Sequence, residues 1–265
     1  MTGTDLARRT AMAAGFTFLY GPILILAGMS FNASKLVTVW GGFSTRWYLA
    51  LLDDAAMLGA ARISLEAAVL SAIIATALGL CAAVALTRFG EFRTRSLFFG
   101  ALHAPLVMPE VVLGLALLSA FVSFGMERGF VTLVIAHATF TMCFTTVVLV
   151  AALRSCDPAL EEAAQDLGAT ALQAFVLVVL PSAAPALVSA FLLAFTLSLD
   201  DLVIASFATG PGATTLPMRI YSQVRLGVTP EVNAISTLAL ACVALALGLA
   251  ALATKGRSSA ATDLA

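Results

Sequence analysis

Charge is scarce in this chain. Charged residues make up 11% of its 265 positions and hydrophobic residues 61%, whereas a typical globular domain is about 25% charged. A chain with so much apolar surface does not suit a soluble domain with one core, so we expect it to lie in a lipid bilayer. Its 14 basic and 15 acidic residues nearly cancel, and the sequence shows no basic patch of the kind that binds nucleic acid.

Sequence motifs of several enzyme classes are also missing. The chain contains no G-x-x-x-x-G-K-[ST] loop around Lys35 or Lys255, its only lysines, so we predict that it does not bind ATP through such a loop. It has neither H-E-x-x-H nor G-x-S-x-G, which argues against an intramembrane enzyme. Its four cysteines form no C-x-x-C pair and are expected to be packing residues. His103 and His137 lie in apolar stretches, where we expect neutral side chains bonded to neighbouring helices.

Long apolar stretches run through the whole sequence. A helix that crosses a bilayer needs about 20 mostly apolar residues. Six stretches meet this requirement: 10–34, 67–87, 96–126, 129–153, 167–207 and 232–254. We therefore predict an all-α integral membrane protein with six transmembrane helices and one membrane domain, 1–265. The first helix, about 10–30, is expected to remain as an anchor because its apolar run is longer than that of a signal peptide. Residues 256–265 are expected to form a short tail.

Lysine and arginine predict the orientation, because cytoplasmic loops are enriched in both. Six spans place the two termini on the same side. With the N-terminus inside, the inner side carries slightly more of these residues, namely Arg8, Arg9, Arg88, Arg93, Arg95, Arg154, Lys255 and Arg257. The outer side then carries Lys35, Arg46, Arg62, Arg128, Arg219 and Arg225. We predict that both termini are cytoplasmic.

The second predicted span has a small residue at every fourth position. These residues are Ala67, Ser71, Ala75, Gly79 and Ala83. Small side chains on one face of a membrane helix allow a neighbouring helix to approach closely. The pattern predicts tight packing of this span and is uninformative about function.

Carboxylates inside the predicted spans are the candidate functional residues. A charge in hydrocarbon is costly, so such a group usually faces a cavity or a partner. Glu110 follows Pro109 in the third span, Asp200 and Asp201 lie in the fifth, and Glu66 is a weaker candidate near the outer end of the second. The alternatives are bonds between helices, or an interfacial position for the two aspartates. A solute path lined by acids favours a cationic solute.

A polar, acidic segment, residues 157–181, interrupts the apolar pattern on the predicted inner side. Asp157 and Pro158 are typical of a helix start, with an N-cap oxygen followed by proline. Gly168 is suited to the left-handed conformation that ends a helix. Thr170 and Gln173 have the spacing of a capping box, which predicts a second helix. Pro181 and Pro185 are expected to bend or delay the span that follows.

This acidic segment resembles the EAA loop of ABC importer permeases. The family pattern is E-A-A, three residues, G, nine residues, a β-branched residue, one residue and L-P. The chain has Glu162-Ala163-Ala164, Gly168, Val178 and Leu180-Pro181 at these spacings, with valine in place of the usual isoleucine. The resemblance covers about residues 60–255, and the first span fits the family's additional N-terminal helix.

The resemblance implies the type I importer fold, in which the first helix of the loop is a cytoplasmic coupling helix. That helix docks on a separate ATPase subunit, which binds ATP and Mg²⁺, while the permease has no cofactor of its own. The residues that would make this contact share one short stretch: Glu161, Glu162, Ala163, Ala164, Asp166 and Gly168. A pair of ATPases would then drive the conformational change of two permeases between inward-open and outward-open states.

The stretches around Glu110 and around Asp200-Asp201 resemble the polyamine branch of this family, especially its putrescine permeases. This resemblance implies putrescine or spermidine as the solute, a second and different permease, a periplasmic solute-binding protein and a bacterial inner membrane. The segment 208–230 is expected to face outward, either as a contact for the binding protein or as a plain connection. The alternative is a secondary transporter that uses an ion gradient without an ATPase. The EAA spacing and the lack of a detectable inverted repeat argue against that alternative.

Overall fold

The computed structural model describes residues 3–36, 39–227 and 229–262. Regular structure in this part of the chain is helical, and one isolated bridge joins Asn32 and Phe43. The helices are α1 (Gly3–Met29), α2 (Arg46–Asp53), α3 (Ala55–Arg88), α4 (Arg95–Val107), α5 (Glu110–Ser123), α6 (Phe130–Ser155), α7 (Pro158–Asp166), α8 (Ala171–Ala174), α9 (Leu180–Ser182), α10 (Ala184–Leu199), α11 (Val203–Ala208), α12 (Leu216–Leu226) and α13 (Pro230–Thr262). A π-helical turn, Phe175–Val179, joins α8 to α9. The expected all-α architecture is confirmed.

The chain divides into two compact units. One consists of Met1–Leu58 with Arg219–Ala265, and the other of Gly59–Met218. In the first unit α13 packs against α1 and α2. There Asn32 organises the connection before α2, since its side-chain oxygen accepts from Gly41 N at 2.7 Å and its backbone oxygen accepts from Trp47 Nε1 at 2.7 Å. Helix α13 continues to Thr262, into the segment predicted as a tail.

The second unit, Gly59–Met218, is built around α6. Helices α4, α5, α10 and α11 contact it, and its side chains form much of the core, including Leu133, Leu149 and Leu153, which are all under 2% exposed. The small-residue face of α3 is buried as predicted. A Cβ added to Gly79 would stand 2.2 Å from Thr145 Oγ1 of α6, so these two backbones approach as closely as glycine allows.

The six-span count is not confirmed. Among the described residues three helices are long and apolar enough to cross a membrane, lying in α1, α3 and α6, and the number rises to five if each of two bent pairs is one span. The predicted third span is bent by 119° between α4 and α5, at Pro109, and the fifth by 68° beside Ala183. Both breaks are next to prolines, which remove backbone donors. The sixth span falls in α13, where side chains beyond Leu245 lie outside the described part.

Two further boundaries differ from the predicted spans. Helix α3 begins at Ala55, well before 67, because Asp54 caps it and accepts from Ala56 N at 3.0 Å. An Arg62–Glu66 pair at 2.6 Å then supports its first turns. The stretch 167–207 does not continue as one helix past the aspartates, since α10 ends at Leu199 and α11 begins at Val203.

Candidate coupling and solute-path sites

The acidic segment folds as two helices joined by a tight turn. Asp157 Oδ1 accepts from Ala159 N at 3.0 Å and Pro158 is the first residue of α7. Gly168 ends the turn with φ +94°. Thr170 and Gln173 then exchange hydrogen bonds at 2.8 and 3.3 Å, which is the predicted capping box at the start of α8. Local sequence signals therefore determine the shape of this segment.

Helix α7 is a surface element. It contains no buried residue: Glu162, Ala163 and Asp166 are exposed, Ala164 is half-buried and Gly168 beyond the helix is exposed. Three leucines in the same segment also face away from the core, Leu160 at 54%, Leu167 at 91% and Leu172 at 72% exposure. Apolar side chains exposed on an otherwise polar projection are typical of an interaction surface.

Glu161 differs from its neighbours on α7, because it has a partner in its own chain. Its Oε2 lies 3.1 Å from Nη2 of Arg88, the last residue of α3, and the two side chains are 19% and 24% exposed. The sequence did not reveal this pair, since nothing local connects residue 88 with residue 161.

A buried polar cluster lies at the end of α10, and we call Ser71, His137, Ser198 and Asp201 the polar centre. His137 contacts Ser198 Oγ through Nδ1 at 2.6 Å and Asp201 Oδ2 through Nε2 at 3.1 Å. Ser71 Oγ donates to Ser198 Oγ at 2.9 Å. None of the four is more than 8% exposed. The expectation that His137 bonds a neighbouring helix is confirmed, whereas no sequence signal pointed to Ser71 or Ser198 as its neighbours.

Asp201 also caps α11. Its carboxylate accepts from Ala205 N at 2.7 Å and from Ile204 N at 3.3 Å. A carboxylate at a helix N-terminus is stabilised by the amides it accepts from and by the helix dipole. The Asp201 carboxylate is therefore hydrogen-bonded within the protein. Bonding between helices was the alternative to a solute-path role that the sequence left open for these acids.

Glu110 and Asp200 are placed differently. Both are exposed: Glu110 is the first residue of α5, directly after the 119° bend, and Asp200 caps the end of α10. Helix α11, which follows the two aspartates, packs against α5, which begins at Glu110, and Gly114 of α5 lies against Phe207 of α11.

The other titratable candidates lie elsewhere. Glu66 is exposed and pairs with Arg62 on the same helix. The expectation that His103 bonds a neighbouring helix is wrong: the side chain is half-buried, stacks on Phe99 with ring centroids 3.9 Å apart and contacts the Phe99 carbonyl of its own helix through Nδ1. Within the described ranges no three His, Cys, Asp or Glu side chains are grouped so as to hold a metal ion.

Comparison with known proteins gives consistent matches. Residues 75–257 match the family described as the inner membrane component of binding-protein-dependent transport systems. The chain is 52% identical over 244 residues to the putrescine transport system permease protein PotI of Escherichia coli (strain K12), covering 90% of this chain and 87% of that one. It is 42% identical over 235 residues to the spermidine/putrescine transport system permease protein PotC of the same strain, covering 89% of each chain.

Solved structures show the same fold. The chain matches a bacterial ABC transporter involved in the import of the acidic polysaccharide alginate, with a TM-score of 0.73, 18% identity, and coverage of 96% of this chain and 95% of that one. It also matches the MetNI methionine ABC transporter, with a TM-score of 0.62, 20% identity, and coverage of 77% and 95%. The chain therefore belongs to the family of inner membrane components of binding-protein-dependent transport systems, and its fold is that of an ABC importer permease.

Proposed function

We propose that this chain is one permease subunit of an ATP-driven importer that moves putrescine or spermidine across a bacterial inner membrane. The observation that carries the proposal is the 52% identity to a putrescine permease over 90% of the chain. The partners are a second permease, a pair of ATPase subunits that bind ATP and Mg²⁺, and a periplasmic solute-binding protein. Both termini and the acidic segment face the cytoplasm, and the permease itself catalyses no reaction.

The exposed surface of α7 is the proposed docking site for the ATPase. Its small residues Ala163 and Ala164 permit close approach of a partner, and Gly168 sets the direction of the chain after the helix. The exposed carboxylates of Glu162 and Asp166 would lie at the edge of the interface with the ATPase, where an ion pair contributes about 0–1 kcal/mol. Shape and the exposed leucines therefore dominate the docking free energy.

The three acids of the proposed path have two roles. Glu110 and Asp200 are exposed and belong to neighbouring elements, since α11, which follows Asp200, packs against α5, which begins at Glu110; they are the carboxylates that meet the ammonium groups of a polyamine. Asp201 is buried and bonded to His137 and to the start of α11. These bonds of Asp201 hold the connection between α10 and α11 in place, so that the neighbouring Asp200 faces the solute path.

Uptake of labelled putrescine into proteoliposomes tests the proposal. The vesicles contain this chain, its partner permease and the ATPase, with ATP inside and the binding protein outside. Glu110→Gln and Asp200→Asn are each expected to reduce uptake by about tenfold, as expected for the loss of about 1.4 kcal/mol of interaction with a cation. The matched control Glu127→Gln, an exposed acid at another position, is expected to transport normally. Uptake driven by a proton or sodium gradient without ATPase would instead identify a secondary transporter.

A further inference from the structure

Helix α3 makes directed contacts at several levels along its length. At one end Ser64 Oγ accepts from Leu216 N at 2.7 Å. Further along, Ser71 bonds to Ser198, and the Ala75 carbonyl accepts from Thr145 Oγ1 at 2.8 Å. The last contact is the ion pair between Arg88 and Glu161 of α7. One continuous helix therefore touches the polar centre, α6 and the coupling helix.

The contact at Arg88 is the part of this series that reaches the docking site. It is the one ion pair found between α7 and another helix in the described residues. Nη2 and Nε of Arg88 are shielded from solvent and lack a hydrogen-bond partner there, since the approach of Glu161 is close but not aligned as a hydrogen bond. Glu161 is therefore the one carboxylate found beside this partly shielded guanidinium, and its removal would leave Arg88 without an ion-pair partner among the described residues.

We propose that the Arg88–Glu161 pair fixes the coupling helix to α3, and that α3 transmits displacement of α7 to the polar centre. This proposal rests on the proposed docking of an ATPase on α7. From residue 71 to residue 88 an α-helix spans about 25 Å at 1.5 Å per residue. A rigid helix of that length carries movement without a chain of side-chain rearrangements. Glu161 is then a positioning residue for coupling, and Glu162 remains a contact for the ATPase.

Charge reversal tests the pair in the full reconstituted transporter. We expect Arg88→Glu and Glu161→Arg each to lower the putrescine transported per ATP hydrolysed by about fivefold or more, the lower range of measured allosteric couplings. The double variant Arg88→Glu/Glu161→Arg restores the opposite charges and is expected to recover to within about twofold. The matched control is the reversed pair Arg62→Glu/Glu66→Arg, which lies on α3 alone and is exposed. We expect this control to leave coupling unchanged.

Two outcomes would overturn the proposal. One is wild-type coupling in both single variants, and the other is a double variant as defective as the singles while all complexes co-purify with the ATPase. If reversal prevents assembly, Glu161→Gln supplies the test, since it removes the charge with little change in size. It is expected to lower transport per ATP while the ATPase stays bound, and normal coupling in Glu161→Gln would also contradict the proposal.

A second measurement is independent of the solute. Spin labels at Gln165→Cys on α7 and Phe89→Cys beyond the end of α3, in a background without the native cysteines, report their separation in the assembled complex. We expect the distance between the two labels to stay constant when ATP binds. In Glu161→Gln we expect the distribution of this distance to become broader with ATP. A separation that changes with ATP in the otherwise unaltered protein would show that α7 moves independently of α3. Failure of putrescine uptake would leave this readout intact, so the two proposals fail separately.

Discussion

The proposed coupling helix α7 and the polar centre use polar residues in opposite ways. In α7 no residue is buried, and among the described residues Glu161 is the one acidic side chain of this helix that forms an ion pair, with Arg88. In the polar centre, His137 and Asp201 are almost fully buried and bond to each other. Charge on α7 is therefore free to serve a partner, whereas charge in the polar centre serves the fold. A charged residue in the sequence therefore indicates a functional contact only when its exposure in the fold is also known.

Removing the histidine of the polar centre should have the largest effect. His137→Leu removes a hydrogen-bond partner from both Asp201 and Ser198, and each buried polar group that loses its partner costs about 1–3 kcal/mol. We expect thermal unfolding of the purified protein in detergent to show this loss of stability. The control is His103→Leu, which removes a half-buried ring outside the centre. Equal stability of the two variants would contradict the assigned role of the centre.

Adding a methyl group at Gly79 should have the next largest effect. The new Cβ would meet Thr145 at 2.2 Å, and overpacking of this kind costs about 1–3 kcal/mol. Gly79→Ala is expected to lower the unfolding temperature, whereas Gly100→Ala, inside α4 with nothing within 4 Å of its Cβ, is expected to keep or raise it, since alanine favours a helix more than glycine does. A normal unfolding temperature for Gly79→Ala would mean that α3 and α6 leave room for a methyl group between Gly79 and Thr145.

A substitution at Gly168 separates docking from folding. Its φ of +94° costs a residue with a side chain about 1–2 kcal/mol, yet a Cβ there meets no atom within 4 Å. Gly168→Ala should therefore leave the core intact and misdirect the chain after α7. We expect weaker co-purification of the ATPase, with a smaller fall in unfolding temperature than Gly79→Ala gives. The reverse result, a stable complex and an unstable permease, would assign Gly168 to the fold instead.

The smallest effect is expected at Glu162. This side chain is exposed, so Glu162→Gln should change ATPase binding by about 0–1 kcal/mol and leave unfolding unchanged. Because exposed pairs are screened by salt, the difference from the wild type should shrink as ionic strength rises. Titrations of the ATPase against the wild type and Glu162→Gln, at low and high salt, measure this difference in binding free energy. A large, salt-independent loss would show that Glu162 is buried against the partner.

The sequence predicts local features better than partners. Asp157, Gly168, Thr170 and Gln173 act on backbone groups within a few residues, so their spacing determines the shape of the acidic segment. The bends near Pro109 and Ala183 follow from proline for the same reason.

Pairs of residues that are far apart in the sequence could be found only from the structure. His137 meets Asp201 across 64 positions and Arg88 meets Glu161 across the whole of α4 to α6. No periodicity or motif in one sequence specifies such pairs. The two acids at 200 and 201 therefore looked equivalent in sequence, although one is exposed and the other is buried as a helix cap.

Site-specific cross-linking at Leu167 tests the central claim most directly. This side chain is 91% exposed beside the turn at Gly168, so a photoreactive amino acid placed there should reach whatever docks on α7. In intact cells we expect a cross-link to the cytoplasmic ATPase subunit. A cross-link to the periplasmic binding protein, or labelling of position 167 by a reagent confined to the outside of the inner membrane, would contradict it.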